Sequence, residues 1–151
     1  MTARTRKVLA YVTRGDALLV FLQPEFPDAG LQVPAGTIEQ GEDAMAAALR
    51  EVEEESGLTG VSVTEFLGQY EFHMAPYRDE LQERHVFHLV ENGAAPATWR
   101  HWETHGGGSE PIEFEFFWKR LDGSDLGLAG GQGQLLPQLF ERIRGRGPRF
   151  C

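Results

Sequence analysis

The chain has 151 residues, enough for one domain with a full core. Its formal net charge of −9 argues against a protein held on nucleic acid by a broad basic face. Hydrophobic content of 41% is ordinary for a soluble globular protein, and no apolar run approaches the roughly 18 to 20 residues that span a bilayer.

The N-terminus, MTARTRKVLAYV, is basic but lacks the long apolar core of a signal peptide. KVLAYVTRGDALLVFLQ reads as two strands joined by a turn at Arg14-Gly15-Asp16, with Val, Leu, Tyr and Phe filling the strands. PEFPDAG is a loop, and LQVPAG a short extended piece ending at glycine. EDAMAAALREVEEES is the strongest helix signal, with Met45, Leu49 and Val52 as its core-facing stripe and Gly57 as its stop. VSVTEFLGQYEFHM and QERHVFHLVE alternate apolar with polar, as strands do. ENGAAPATWRHWETHGGGSEP reads as loop, EFEFFWKRL as a strand and DLGLAGGQG as a glycine-rich connection. QLLPQLFERIRG is a second, shorter helix with Pro137 in its first turn.

Strands mixed with two helices predict one α/β or α+β domain over residues 1–151, with no internal repeat. Arg4, Arg6 and Lys7 at one end and Arg142, Arg144, Arg146 and Arg149 at the other read as solvated chain ends, residues 142–151 as a flexible basic tail. The single cysteine, Cys151, leaves no internal disulfide, which suits a reducing, cytoplasmic setting.

LREVEEESG places four glutamates in five positions of the first helix. Like charges at helical spacing repel. At about 100° per residue, Glu51, Glu54 and Glu55 share one sector, away from the apolar stripe, while Glu53 points elsewhere. Oxygen-only ligands at i, i+3 and i+4 suit a hard divalent cation, Mg²⁺ or Mn²⁺. Such an ion relieves the repulsion; without it the carboxyl pKa values rise.

The surrounding residues are Gly36, five residues, Glu42, seven residues, Arg50-Glu51-Val52, one residue, Glu54-Glu55, one residue, Gly57-Leu58. This resembles the signature of the Nudix hydrolases, and every defined position matches. The resemblance covers residues 36–58 and implies a fold and a chemistry. The fold is an α/β/α sandwich with a mixed sheet between helices. The chemistry is metal-dependent hydrolysis of a nucleoside diphosphate linked to a further group X, by water attack on phosphorus. It further implies that Glu54 and Glu55 are the principal metal ligands. Glu51 is a third ligand or the base that takes a proton from water. The Gly36 carbonyl is a further contact to metal, and Arg50 and Glu42 orient the catalytic carboxylates. Gly36 itself reads as a close-approach position and Gly57 as a helix stop.

Members of this family often take one more carboxylate from outside the motif. The candidates are Glu110, Glu113 and Glu115, with Glu71 and Glu83 weaker. Substrate-binding residues are not fixed by the sequence. Phe21, Tyr70, Phe72, Phe87, Trp99, Trp102 and Trp118 are aromatic and open to a core or a stacking role. Arg78, Arg84 and Lys119 are the cations available for phosphate. None of His73, His85, His88, His101 and His105 shows zinc-site spacing with cysteine. Residues 92–111, with GGGS at the centre, are either a closing loop or a plain connection.

The resemblance leaves nucleoside triphosphates, dinucleoside polyphosphates, nucleotide sugars or ADP-ribose, and RNA 5′ ends as substrates. The absence of long insertions favours a small nucleotide, and the net charge disfavours RNA. No membrane partner is expected, and a homodimer is a common family assembly. A non-catalytic nucleotide-sensing module is the alternative, against which the complete set of glutamates speaks. An isomerase acting on an isoprenoid diphosphate lacks an internal cysteine here.

Overall fold

The computed structural model describes residues 2–104 and 110–145. β1 (Ala3–Arg14) and β2 (Ala17–Leu22) form the expected hairpin, turning at Gly15 with φ 61°. β3 (Ala35–Thr37) follows, then helix α1 (Ala44–Ser56). β4 (Val61–His73) and β5 (Glu80–Glu91) come next, then β6 (Thr98–Glu103), β7 (Ile112–Arg120) and helix α2 (Leu136–Gly145).

The strands make one mixed sheet in the order β4-β5-β1-β2-β7-β6, with β3 paired to β1. β1 runs parallel to β5, while its pairings with β2 and β3 are antiparallel. It sits in the middle of the sheet, and residues 8–13 are buried without a break. Such a run is expected of a strand covered on both faces. Val8, Ala10 and Val12 face α1, together with Leu19, Phe21, Phe87, Phe114 and Phe116. Leu9 and Tyr11 face α2, with Leu18, Val20, Val86 and Leu139. The molecule is thus an α+β sandwich with a helix on each face. No helix among the described residues is long and apolar enough to cross a membrane.

Four expectations need correction. Met45 does not face the core: it is exposed, and α1 packs through Ala47, Ala48 and Val52. Two alanines let the helix approach the sheet closely, and a methionine lies outside that narrow seam. Residues 98–103 are a strand, because TWRHWE pairs along its full length with Ile112–Phe117 of β7. Residues 142–145 continue α2 rather than beginning a tail, since Ile143 packs against the core. Lys7, assigned to a solvated end, is half-buried within β1. Residues 105–109, with His105 and GGGS, and 146–151 lie outside the described residues.

Shortening a side chain on each side of α1 tests this seam. Val52→Ala is expected to lower unfolding free energy by about 2–3 kcal/mol in urea melts, from lost transfer energy plus a cavity. Met45→Ala is expected to change it by less than about 0.5 kcal/mol.

Candidate active site

α1 is fixed at both ends. The Asp43 side chain accepts from the Ala46 N–H at its start, and Gly57, at φ 79°, ends it in a left-handed cap. A left-handed residue favours glycine. The last carbonyls are taken up by the edge strand: Trp99 Nε1 donates to Ser56 O at 2.8 Å and His101 Nδ1 to Glu55 O at 3.0 Å. β6 is thereby tied to the end of the helix that carries the glutamates.

Arg50 is the hub of the acidic face. Its Nε and Nη2 reach the two oxygens of Glu42 at 2.8 and 2.9 Å. Nη1 donates to Glu51 at 2.8 Å and to Glu54 at 3.1 Å, and Nη2 also donates to Thr37 O. The forked contact from Arg50 holds the Glu42 carboxyl down to about 2. Glu42 also accepts from the Glu39 N–H, so the loop before the helix is clamped to Arg50.

Glu51 and Glu55 are buried, unlike ordinary helix carboxylates. Burial pushes the Glu51 carboxyl up to about 7, against the opposing pull of Arg50. Glu55 is raised well above the usual range by the same cause, although the Ala35 N–H donates to it at 2.7 Å. Gly36 makes the close approach possible. A Cβ there would lie 2.0 Å from Glu51 Cδ, inside any permitted contact. β3 therefore covers Glu51 and Glu55 with backbone alone.

A third carboxylate joins them from β6. Ligand oxygens of Glu51, Glu55 and Glu103 all lie within 4.8 Å of one another. Three oxygen donors, two of them costly to bury as free anions, fit a hard divalent cation. Glu54 stands beside this cluster, turned to Arg50, and lines an open cleft of about 520 Å³ with Glu53, His101, Trp102 and Thr104. A larger cavity, about 750 Å³, lies beside α2 and is lined by Leu128, Leu136 and Phe140, away from these acids.

The sequence candidates divide accordingly. The structure gathers Gly36, Glu42, Arg50, Glu51, Glu54 and Glu55. It does not bring Glu113 and Glu115 to them: both pair with Arg100, at 2.9 and 3.0 Å, on the sheet face opposite Phe114 and Phe116. Glu110 is exposed outside β7, Glu71 pairs with Arg4, and Glu83 with His85. Phe21 and Phe87 are buried core residues, and Trp99 and Trp118 pack against that core. His88 is buried against Thr13, and Lys119 is exposed. Glu103 is the residue the sequence did not single out. Its signal was the alternation Trp99-His101-Glu103, which turns all three toward α1 once 98–103 is a strand.

Residues 3–118 match the family model described as NUDIX domain. The chain belongs to the Nudix hydrolase family. Comparison with curated proteins gives no match. Among solved structures, the NUDIX domain of Shewanella oneidensis NrtR, crystallised with ADP ribose, superposes with a TM-score of 0.69 at 17% identity, covering 95% of this chain and 90% of that one. A UDP-X diphosphatase gives 0.65 at 16% identity, covering 96% of this chain but 65% of its own. An ADP-ribose pyrophosphatase from Streptococcus suis gives 0.60 at 17%, covering 97% and 96%. These likenesses establish a shared Nudix fold.

Gly36→Ala is expected to push Glu51 out of the cluster. Thermal melts with and without Mg²⁺ check this: the ion's stabilisation of the wild type is expected to vanish in the variant.

Proposed function

We propose that this Nudix hydrolase is a divalent-metal-dependent pyrophosphohydrolase. It cleaves a diphosphate bond in a nucleoside diphosphate joined to another moiety, with water as nucleophile. The convergence of Glu51, Glu55 and Glu103 carries this reading, because three carboxylate oxygens meet where the motif expects metal. An Mg²⁺ or Mn²⁺ ion bound there would neutralise the diphosphate and make water more acidic.

The chain's own residues do the rest. Gly36 and β3 close one side of the cluster with backbone, which fixes Glu51 and excludes side-chain volume. The Ala35 N–H orients Glu55 from the same strand. Arg50 holds Glu51 and Glu54 at set positions and ties both to Glu42. We assign Glu54 to the substrate side, because it faces the cleft and stands apart from the three converging oxygens. There it accepts the proton of the attacking water. The substrates that fit are small nucleotide-type molecules, among them nucleoside triphosphates, dinucleoside polyphosphates, nucleotide sugars and ADP-ribose.

A panel of these compounds with Mg²⁺ or Mn²⁺ tests the reaction, read as release of phosphate or nucleotide. Glu55→Gln and Glu103→Gln are expected to abolish metal-induced thermal stabilisation and to lower kcat/KM at least as much as the roughly 10–100-fold that supporting residues cost. Glu54→Gln is expected to keep the metal's stabilisation while losing kcat. Full turnover by all three variants would refute the assignment.

A further inference from the structure

The reverse side of β3 carries charge of the opposite sign. Gly36 faces Glu51, so its neighbour Thr37 projects from the other face. Thr37 accepts a hydrogen bond from Lys7 Nζ at 2.7 Å. Lys7 is the ladder partner of Thr37 on one side and of Arg84 on the other, and Arg84 is the partner of Tyr70. Thr37, Lys7, Arg84 and Tyr70 thus form one row across four strands.

Two cations stand next to each other in that row, on strands spaced about 4.8 Å apart. Like charges directly opposite destabilise a sheet. Arg84 is 5% exposed, which makes the arrangement costlier. Its donors go to neutral acceptors: Gly130 O at 2.6 Å, Gln82 Oε1 at 3.0 Å and Tyr70 Oη at 3.3 Å, with the guanidinium 4.2 Å above the Phe72 ring. Among the described residues, neither Lys7 nor Arg84 has a carboxylate within ion-pair distance of 4.0 Å. Two acids act on Lys7 from beyond that distance: Glu80, itself engaged by Thr5, Gln82 and Arg78, and Glu51 of the acidic cluster. Arg78 adds a third cation at the rim. A buried, stacked guanidinium beside a half-buried ammonium on one sheet face, neither of them held in an ion pair among the described residues, matches what a phosphoryl group needs.

We propose that Lys7, backed by Arg84, is an anion subsite that receives a phosphoryl group of the substrate beyond the bond to be cleaved. Lys7 is the contact residue, and Arg84 is a positioning residue that supplies fixed positive field behind it. The proposal rests on the pyrophosphohydrolase reading and narrows its substrates. An X group that carries its own phosphate, as in a nucleoside triphosphate or dinucleoside polyphosphate, is favoured over an uncharged sugar.

Two measurements on the full-length protein test it. In the first, thermal melts are run without metal, in phosphate-free buffer with and without inorganic tripolyphosphate. Wild type is expected to gain stability with the anion and to lose that gain as salt rises. Lys7→Met is expected to melt no lower than wild type without the anion, because a like-charge contact is relieved, and to gain nothing from it. An equal gain in both proteins, or none in either, overturns the subsite. In the second, kcat/KM for ATP is divided by kcat/KM for UDP-glucose. Lys7→Met is expected to lower this ratio about tenfold or more, the loss of one charge-assisted contact, and Lys7→Arg to restore most of it. A ratio unchanged by Lys7→Met overturns the assignment. If the wild type hydrolyses nothing, the enzymatic reading fails, while the melts still decide whether the anion site exists.

Discussion

The organising constraint is the burial of Glu51 and Glu55 beneath a strand that offers them no side chain. Two carboxylates in a poorly solvated space repel each other and lose hydration, and both costs push them toward the neutral form. The fold answers with one guanidinium and one backbone N–H. Arg50 reaches Glu51, and Ala35 donates to Glu55. Neither supplies the double positive charge that three converging carboxylates call for. On the proposed reading, a divalent ion bound among Glu51, Glu55 and Glu103 would supply it.

The rest of the architecture exists to keep that arrangement rigid. β1 is held along its whole length by β5, so β3, paired to it over only Lys7–Leu9, inherits a fixed platform. α1 lies close to the sheet because Ala47 and Ala48 permit it. β6, an edge strand with one neighbour, is secured by Trp99 donating to the carbonyl of Ser56 and His101 to that of Glu55. Those two bonds do double duty. They satisfy orphan acceptors at a helix terminus, and they set the register that delivers Glu103 to the cluster two residues beyond His101.

Much of this was legible in the sequence because local rules and site chemistry coincide in residues 36–58. Gly57 stops the helix for reasons of capping, and the glutamates inside it follow the motif; the Asp43 cap at its start emerges only in the structure. The failures share a cause. Met45 looked like core because an apolar residue at the right spacing was taken to be buried, whereas the helix packs through alanines that hydropathy ranks lower. Glu103 was invisible because its strand violates the binary pattern: Trp102, on the outer face, is half-exposed, while an acid takes the inner position. A strand that serves a site puts polarity where a structural strand puts carbon, so pattern-based reasoning is weakest at the residue that matters most. Lys7 escaped notice for a related reason. A cation near a chain end reads as solvated, and only the register of four strands sets it beside Arg84.

The two faces of β3 then pose one electrostatic problem with two solutions. A net charge of −9 would repel the proposed polyphosphate substrate at long range, so its approach would need local positive charge. On the Gly36 side the wall is acidic, and in the proposed reaction a divalent ion would stand between it and a phosphate. On the Thr37 side Lys7 and Arg84 supply positive charge from the chain itself, with Glu80 turned to Thr5, Gln82 and Arg78. A three-residue strand separates the two because successive residues in an extended chain face opposite ways. Thr37, which bonds Lys7 through its hydroxyl and Arg50 through its carbonyl, is the residue at which the two halves of the arrangement are mechanically joined.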